Sequence, residues 1–275
     1  ELIRPHLKNF GVCHHSQPKA VYISQVSELG TIYTIEEVKA IADLLHSYDM
    51  YLHMDGARLA NACAYLNCTM RQVTVDAGVD ILSFGGTKNG MMMGEAVVSF
   101  RPEITENLRF YRKQSAQLAS KLRYLSAQFI PYLENNLWLE NAMKANISAA
   151  KLADVLRQYP EIHFTQKIES NQLFFTIPAE ALRKLQDKYF FYMWNEEINE
   201  ARWNSIVESD AAGTFGNGEV AIFVVGRVGG EANDLKSTGH IDGGANPLGA
   251  DVSANSDYLM LHKQSTVDRD LWAET

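Results

Sequence analysis

An α/β fold on a largely parallel sheet is what the first 203 residues predict, and three observations carry that prediction. Short apolar runs of strand length alternate with segments of helical spacing. The runs close on small and polar residues, as in LHMDGAR and ILSFGGTKNG, where the backbone can turn. The composition, 46% hydrophobic and 21% charged over 275 residues, supplies enough apolar material for a substantial core in one or two domains.

The elements follow in order. Residues 20 to 26 read as a strand. Thr34 with Glu37 forms a capping box that opens a helix, in which Ile35, Val38, Ile41, Leu45 and Tyr48 keep helical spacing. A strand at 51 to 54 follows, then helical patterns at 58 to 66 and 69 to 77. The apolar run Ile81, Leu82, Phe84 is a buried strand, and EAVVSF is the next. This order implies right-handed crossovers between parallel strands. From Glu103 to Tyr159 the pattern is mostly helical, with Pro131 as a break and Pro160 as a stop. Strand patterns at 162 to 164, 171 to 177 and 189 to 193 then predict a smaller α+β domain around a helix begun by Pro178. The aromatic run YFFYMW reads as core. The predicted division is a large domain over 1–135, a small domain over 136–203 and an atypical tail over 204–275.

Several classes are excluded by what the chain lacks. No stretch approaches the ~18 uncharged apolar residues of a membrane span, and ELIRPHLKNF has no signal-peptide pattern, so a cytoplasmic setting is expected. No nucleic-acid or membrane partner is expected. Cys13, Cys63 and Cys68 make an odd count without CxxC spacing, which fits reduced thiols. Cys13, His14 and His15 are adjacent, so on an extended segment they point apart, and no further pair has zinc spacing; no metal is expected.

The chemistry concentrates at Lys88 and Asp55. Lys88 stands between glycines just after an apolar strand, at the strand end where open α/β sheets place ligands. Asp55 ends another strand, and alternation puts Tyr51, His53 and Asp55 on one face, with Leu52 and Met54 on the other. An exposed amine and a carboxylate so placed are what pyridoxal phosphate (PLP) requires: a lysine for its aldehyde and an acid to keep its ring nitrogen protonated. Taken singly, a lysine in a glycine-rich turn is more often a solvated loop residue, and Asp-Gly after a strand an ordinary turn.

On these motifs the chain resembles the PLP-dependent threonine aldolases of the β-eliminating lyase group, within the aspartate aminotransferase-like fold (fold type I). The resemblance runs from about Lys19 to Trp203 through VYISQVSELGTIYT, LHMDGARLANA, AGVDILSFGGTKNG, GEAVVSF, RKQSAQLASKLRYLSAQF and EARW. It implies that Lys88 holds the cofactor as a Schiff base, that Asp55 partners the pyridine nitrogen, and that Arg58 lies near the cofactor phenolate and the substrate carboxylate. It implies Arg202 as a second carboxylate ligand, Thr87 as a phosphate contact, and Lys113 or Lys121 as reaching a phosphate across a dimer interface. The implied reaction cleaves the Cα–Cβ bond of a β-hydroxy-α-amino acid, threonine giving glycine and acetaldehyde, in a homodimer or homotetramer. The same lysine and aspartate would also support β-elimination or transamination. Ahead of KAVYISQ the family carries a glycine-rich phosphate loop and a histidine stacked on the cofactor ring. His14, His15 and His53 do not match that histidine's motif position.

After Trp203 the composition changes. Residues 1 to 203 hold 21 basic and 22 acidic residues, net −1, whereas 204 to 275 hold 4 and 11, net −7, with ten of the 18 glycines. EVAIFVVGRVGGEANDL is similar to a stretch of the carboxyl-terminal domain of family 3 glycoside hydrolases, with Glu231 and Asp234 as its acidic residues, although a second catalytic carboxyl has no source here. An aldolase-like piece joined to a foreign segment, without activity, is therefore the reading from outside enzymology.

Overall fold

Every second residue of the strand Tyr51–Gly56 is buried and its neighbours are not, so the alternation read from the sequence is a real division into two faces. This strand, β2, lies between β1 (Ala20–Ser24) and β3 (Ile81–Gly85), parallel to both; β4 (Glu95–Ser99) closes the sheet antiparallel to β3. The computed structural model describes residues 3 to 204, apart from Asn9, Phe190 and Tyr192. The tail 204–275, with Glu231 and Asp234, lies outside the described residues from 205 onward.

One face of this sheet carries the main core. Ile23, Leu52, Met54, Leu82 and Phe84 pack with Val38, Ala42 and Leu45 of helix α1 (Ile35–His46) and with Leu59 and Cys63 of α2 (Leu59–Leu66). The Thr34–Glu37 capping box is present in full: Thr34 Oγ1 accepts from the Glu37 N–H at 3.2 Å, and the Glu37 carboxylate takes the Thr34 N–H at 2.8 Å. The other face presents Tyr22, His53, Asp55 and Ser83, half open.

The second helical pattern, 69 to 77, is interrupted. Helix α3 (Met70–Val73) stops at Thr74, and a 3₁₀ turn over Val75–Ala77 follows. Below the sheet Asp80, wholly buried, gathers the Leu52 N–H at 2.6 Å, the His46 imidazole at 3.0 Å and the Arg101 guanidinium. A buried carboxylate with three partners stays satisfied and ties α1, β2 and β3 together.

Beyond β4 run α4 (Pro102–Gln114), α5 (Arg123–Ser126), α6 (Phe129–Leu133) and the long α7 (Leu137–Leu156). Pro131 marks the break between α5 and α6, which falls at Ala127 and Gln128: its missing N–H leaves the Ala127 carbonyl, four residues back, to the Ile130 N–H at 3.3 Å. The other breaks fall where Ala116, Lys121, Asn135 and Asn136 take positive φ.

The second sheet has the order β5 (His163–Phe164), β6 (Gln172–Thr176), β8 (Glu200–Asn204), β7 (Met193–Asn195), all antiparallel, with α8 (Ala179–Gln186) following Pro178. Leu173, Phe175 and Ala201 face Ala149 and Ala153 of α7 in a second core. Strand β8, missed in the sequence reading, is central here. The aromatic run divides: Phe191 and Met193 pack on this core, whereas Tyr189 is 64% exposed and Trp194 is 38% exposed, against the expectation of core.

Candidate active site

The carboxyl ends of β2 and β3 lie side by side, with Asp55 opposite Ser83 and Gly56 opposite Phe84. Asp55 is the penultimate residue of β2. Lys88 sits just past β3 in a 3₁₀ turn, Thr87–Asn89, closed on Gly86, whose carbonyl takes the N–H groups of Asn89 at 3.0 Å and Met91 at 3.2 Å. Thr87 Oγ1 accepts the Gly94 N–H at 3.0 Å and pins this turn to the start of β4.

The Asp55 carboxylate is oriented at both oxygens. Oδ1 accepts the Ala57 N–H at 2.8 Å and Oδ2 accepts the Tyr22 hydroxyl at 2.5 Å. Partial burial, then the Asp55 carboxylate, raises the Tyr22 pKa, so the phenol stays a neutral donor. Tyr22 also meets the His53 ring edge-on at 5.1 Å. Burial depresses the His53 pKa against the pull of Asp55, so the imidazole is neutral at pH 7, with Nε2 at 2.9 Å from Ser83 Oγ.

A third ionisable group completes the edge. Glu95 pairs with Gly85 across the β3–β4 ladder, and a Cβ placed on Gly85 would meet Glu95 Oε2 at 2.8 Å and the Ala57 Cα at 2.7 Å. Three strand ends therefore converge where only glycine fits. Desolvation raises the Glu95 pKa; hydrogen bonds from Thr87 and the charge of Lys88 lower it, and Asp55 raises it. Glu95 thus feels the charges of both Lys88 and Asp55.

The remaining expected residues lie on other elements. Arg58, at the N-terminus of α2 and three residues after Asp55, is 8% exposed. Arg202 belongs to β8 in the second sheet, where Trp194 and Phe174 flank its guanidinium at 4.8 and 5.8 Å, and Nη1 donates to Glu28 Oε1 at 3.2 Å from the loop after β1. Lys113 lies on α4, a helix without a buried residue, and Lys121 in the segment after it. Sequence reading missed Tyr22, Glu95, Asn89 and Tyr132. Only the period-two pattern of AVYIS, which places Tyr22 beside His53, was available as a signal. Among the described residues no group of three or more His, Cys, Asp or Glu is set to hold a metal ion.

Comparison with known proteins matches residues 1–178 to the model of the beta-eliminating lyase family. The chain belongs to that family. A low specificity L-threonine aldolase from a Pseudomonas species is 41% identical over 175 residues, 64% of this chain and 51% of that protein. One from Pseudomonas aeruginosa is 39% identical over 173 residues, 63% of this chain and 50% of the relative. The chain thus spans about half the length of the curated relatives it matches. Threonine aldolase from Leishmania major superposes with a TM-score of 0.68 at 29% identity, covering 74% of this chain and 60% of that one. The α/β, fold type I architecture stands on this likeness. The family match ends before the tail and lends its glycoside hydrolase likeness no support.

Proposed function

We propose that this beta-eliminating lyase family chain is the PLP-binding part of a threonine aldolase, acting on β-hydroxy-α-amino acids. The observation that carries the reading is the placement of Asp55 and Lys88 at the carboxyl ends of adjacent parallel strands, with Glu95 beside them at the start of antiparallel β4. The donor set fits the cofactor: a partly exposed amine, a carboxylate already oriented by two donors, a hydroxyl at Thr87 and a buried guanidinium at Arg58.

PLP, when bound, supplies an aldehyde that condenses with amines and a ring that withdraws electrons from the carbon beside the nitrogen. Lys88 Nζ would be the amine that holds it and yields to the substrate amine. Asp55, fixed by Ala57 and Tyr22, would keep the proton on the ring nitrogen, a charge placed in advance of the reaction. Arg58 and Arg202 would grip the substrate carboxylate, Thr87 would meet the cofactor phosphate, and neutral His53 would brace the Asp55 face. The small-molecule amino acid would be cleaved to glycine and an aldehyde. A homodimer or homotetramer is inferred from the exposed α4 region, whose Lys113 and Lys121 would reach a neighbour's site. The unpaired thiols of Cys13, Cys63 and Cys68 support a reducing, cytoplasmic setting, and no helix of the described residues is long and apolar enough to cross a membrane.

The test is direct. The full chain with PLP should develop a visible band that borohydride traps on Lys88, and threonine should then yield glycine and acetaldehyde. Lys88→Ala should abolish the band, whereas Asp55→Ala should retain binding and lose most turnover. A trapped adduct spread over other lysines, with Lys88 unmodified, would remove the reading. β-Elimination, which the family's name denotes, relies on the same residues and is told apart by pyruvate released from serine.

A further inference from the structure

The turn that bears Lys88 is too short to hold itself, and the structure shows what holds it. Asn89, the next residue, is 3% exposed and directs its amide Nδ2 at two acceptors: Tyr132 Oη at 2.7 Å and the Trp138 carbonyl at 2.8 Å. The Asn89 carbonyl in turn accepts from Asn141 Nδ2 at 3.1 Å. The partners stand 43, 49 and 52 residues away in sequence, on α6 and α7, so they brace the turn from outside its own sheet. We propose that Tyr132 and Asn141, acting through Asn89, are positioning residues for the Lys88 amine. This rests on the reading of Lys88 as the reactive amine.

Physical cost separates this role from ordinary packing. Tyr132 is 2% exposed and Asn141 7% exposed; each buried polar group left unmatched would cost roughly 1–3 kcal/mol. Apolar residues would close a helix against a sheet without that risk, yet two buried polar side chains, Tyr132 and Asn141, converge on the residue beside Lys88. The approach is close: a Cβ on Gly90, at φ 104°, would meet Asn141 Nδ2 at 2.5 Å. The Tyr132 ring also stacks at 6.2 Å against Phe84 of β3, so one side chain fixes both the strand and the turn that leaves it. Burial pushes the Tyr132 phenol up to about 12, so it stays neutral and keeps its hydrogen bond across the working pH range. Covalent chemistry needs the amine placed to within a fraction of an ångström, and a displacement of about 1 Å can cost about 100-fold in rate.

Tyr132→Phe, which keeps the ring and its stacking and removes only the hydroxyl, tests this in the full chain. Two measurements are made. Hydrogen exchange on the unloaded protein should quicken about tenfold at residues 86–91, with β2 unchanged, as expected for one lost hydrogen bond of about 1.4 kcal/mol. With PLP added, borohydride trapping at Lys88 should slow about tenfold and the circular dichroism of the bound chromophore should fall, while the thermal midpoint hardly moves. Asn141→Ala should act in the same direction and Asn141→Gln should restore part of the trapping rate. Trapping and dichroism at wild-type levels in Tyr132→Phe would overturn the proposal. Should wild type itself trap no PLP at Lys88, the reading of the site fails, and exchange alone then decides the clamp: unchanged exchange at 86–91 overturns it.

Discussion

Glu95 shows most plainly what a residue gives up to stand in this site. Its carboxyl is drawn over Gly85, and desolvation, the largest influence on it, lifts its pKa above the ordinary value of 4.5. The folded protein therefore binds this proton more tightly than the unfolded chain, so stability falls as pH rises from about 4.5 through the folded pKa. Glu95→Gln removes the penalty: we expect a higher thermal midpoint than wild type at pH 7 and convergence of the two below about pH 4, where the carboxyl is protonated in both states. A variant less stable at pH 7 would mean that the bonds from Thr87 and the attraction of Lys88 outweigh desolvation. Lys88 and Asp55 were legible in the sequence because each carries its own local mark, an apolar strand before it and glycine beside it. Glu95, Tyr22 and Tyr132 were not, because their importance comes from cross-strand register and from a helix more than forty residues away.

Among elements, α4 departs most from the burial expected of a helix packed against a sheet. None of its residues is buried, and Phe110, Tyr111, Leu118, Tyr124 and Ile130 on it and its continuation are 50, 59, 39, 67 and 61% exposed. Exposed apolar side chains of this kind, with Arg109, Arg112 and Lys113 among them, make α4 the association face expected in the proposed oligomer. Tyr111→Glu should therefore shift the full chain toward monomer in sedimentation, with little change in thermal midpoint; an unshifted sedimentation profile would remove α4 from the interface. The sequence shows helix starts where capping chemistry is complete, as at Thr34 and Glu37. It marks the break between α5 and α6 through Pro131, but not those that rest on positive φ at Ala116, Lys121 and the two asparagines Asn135 and Asn136. It missed β8 because EARW has no alternating apolar run; its place in the sheet comes from pairing on both sides, with β6 and β7.

At the scale of the molecule, the question is what couples the first sheet to the second, since Arg58 and Arg202 can share one substrate only if the two hold a fixed distance. Helix α7 touches both, through Asn141 at the Lys88 turn and through Ala149 and Ala153 on the second sheet, and among the described residues the loop after β1 adds two further links. One is the ion pair of Glu28 with Arg202 at 3.2 Å, whose acid is 61% exposed and whose contribution is accordingly no more than about 1 kcal/mol. The other is the loop itself, from Gln25 to Tyr33. Its ends are closed by the Gln25 side chain, which donates to the Tyr33 carbonyl at 2.7 Å and accepts the Tyr33 N–H at 3.0 Å. Its tip docks on the second sheet: Ser170 Oγ donates to the Gly30 carbonyl at 3.0 Å, and the Ile32 N–H reaches Glu169 Oε2 at 2.9 Å. Gly30 has φ 79°, and a Cβ there would lie 3.1 Å from the Gln172 Cβ and 3.4 Å from the Phe174 ring. Gly30→Ala therefore adds left-handed strain of roughly 1–2 kcal/mol to a crowded contact at the start of β6. We expect it to lower the urea midpoint by more than Glu28→Gln does. Substrate affinity should weaken more than turnover, because the distance between the two arginines loosens while Lys88 and Asp55 remain in the first sheet. Were Glu28→Gln the more damaging change in both measurements, the ion pair and not the docked loop would be the stronger of these two links.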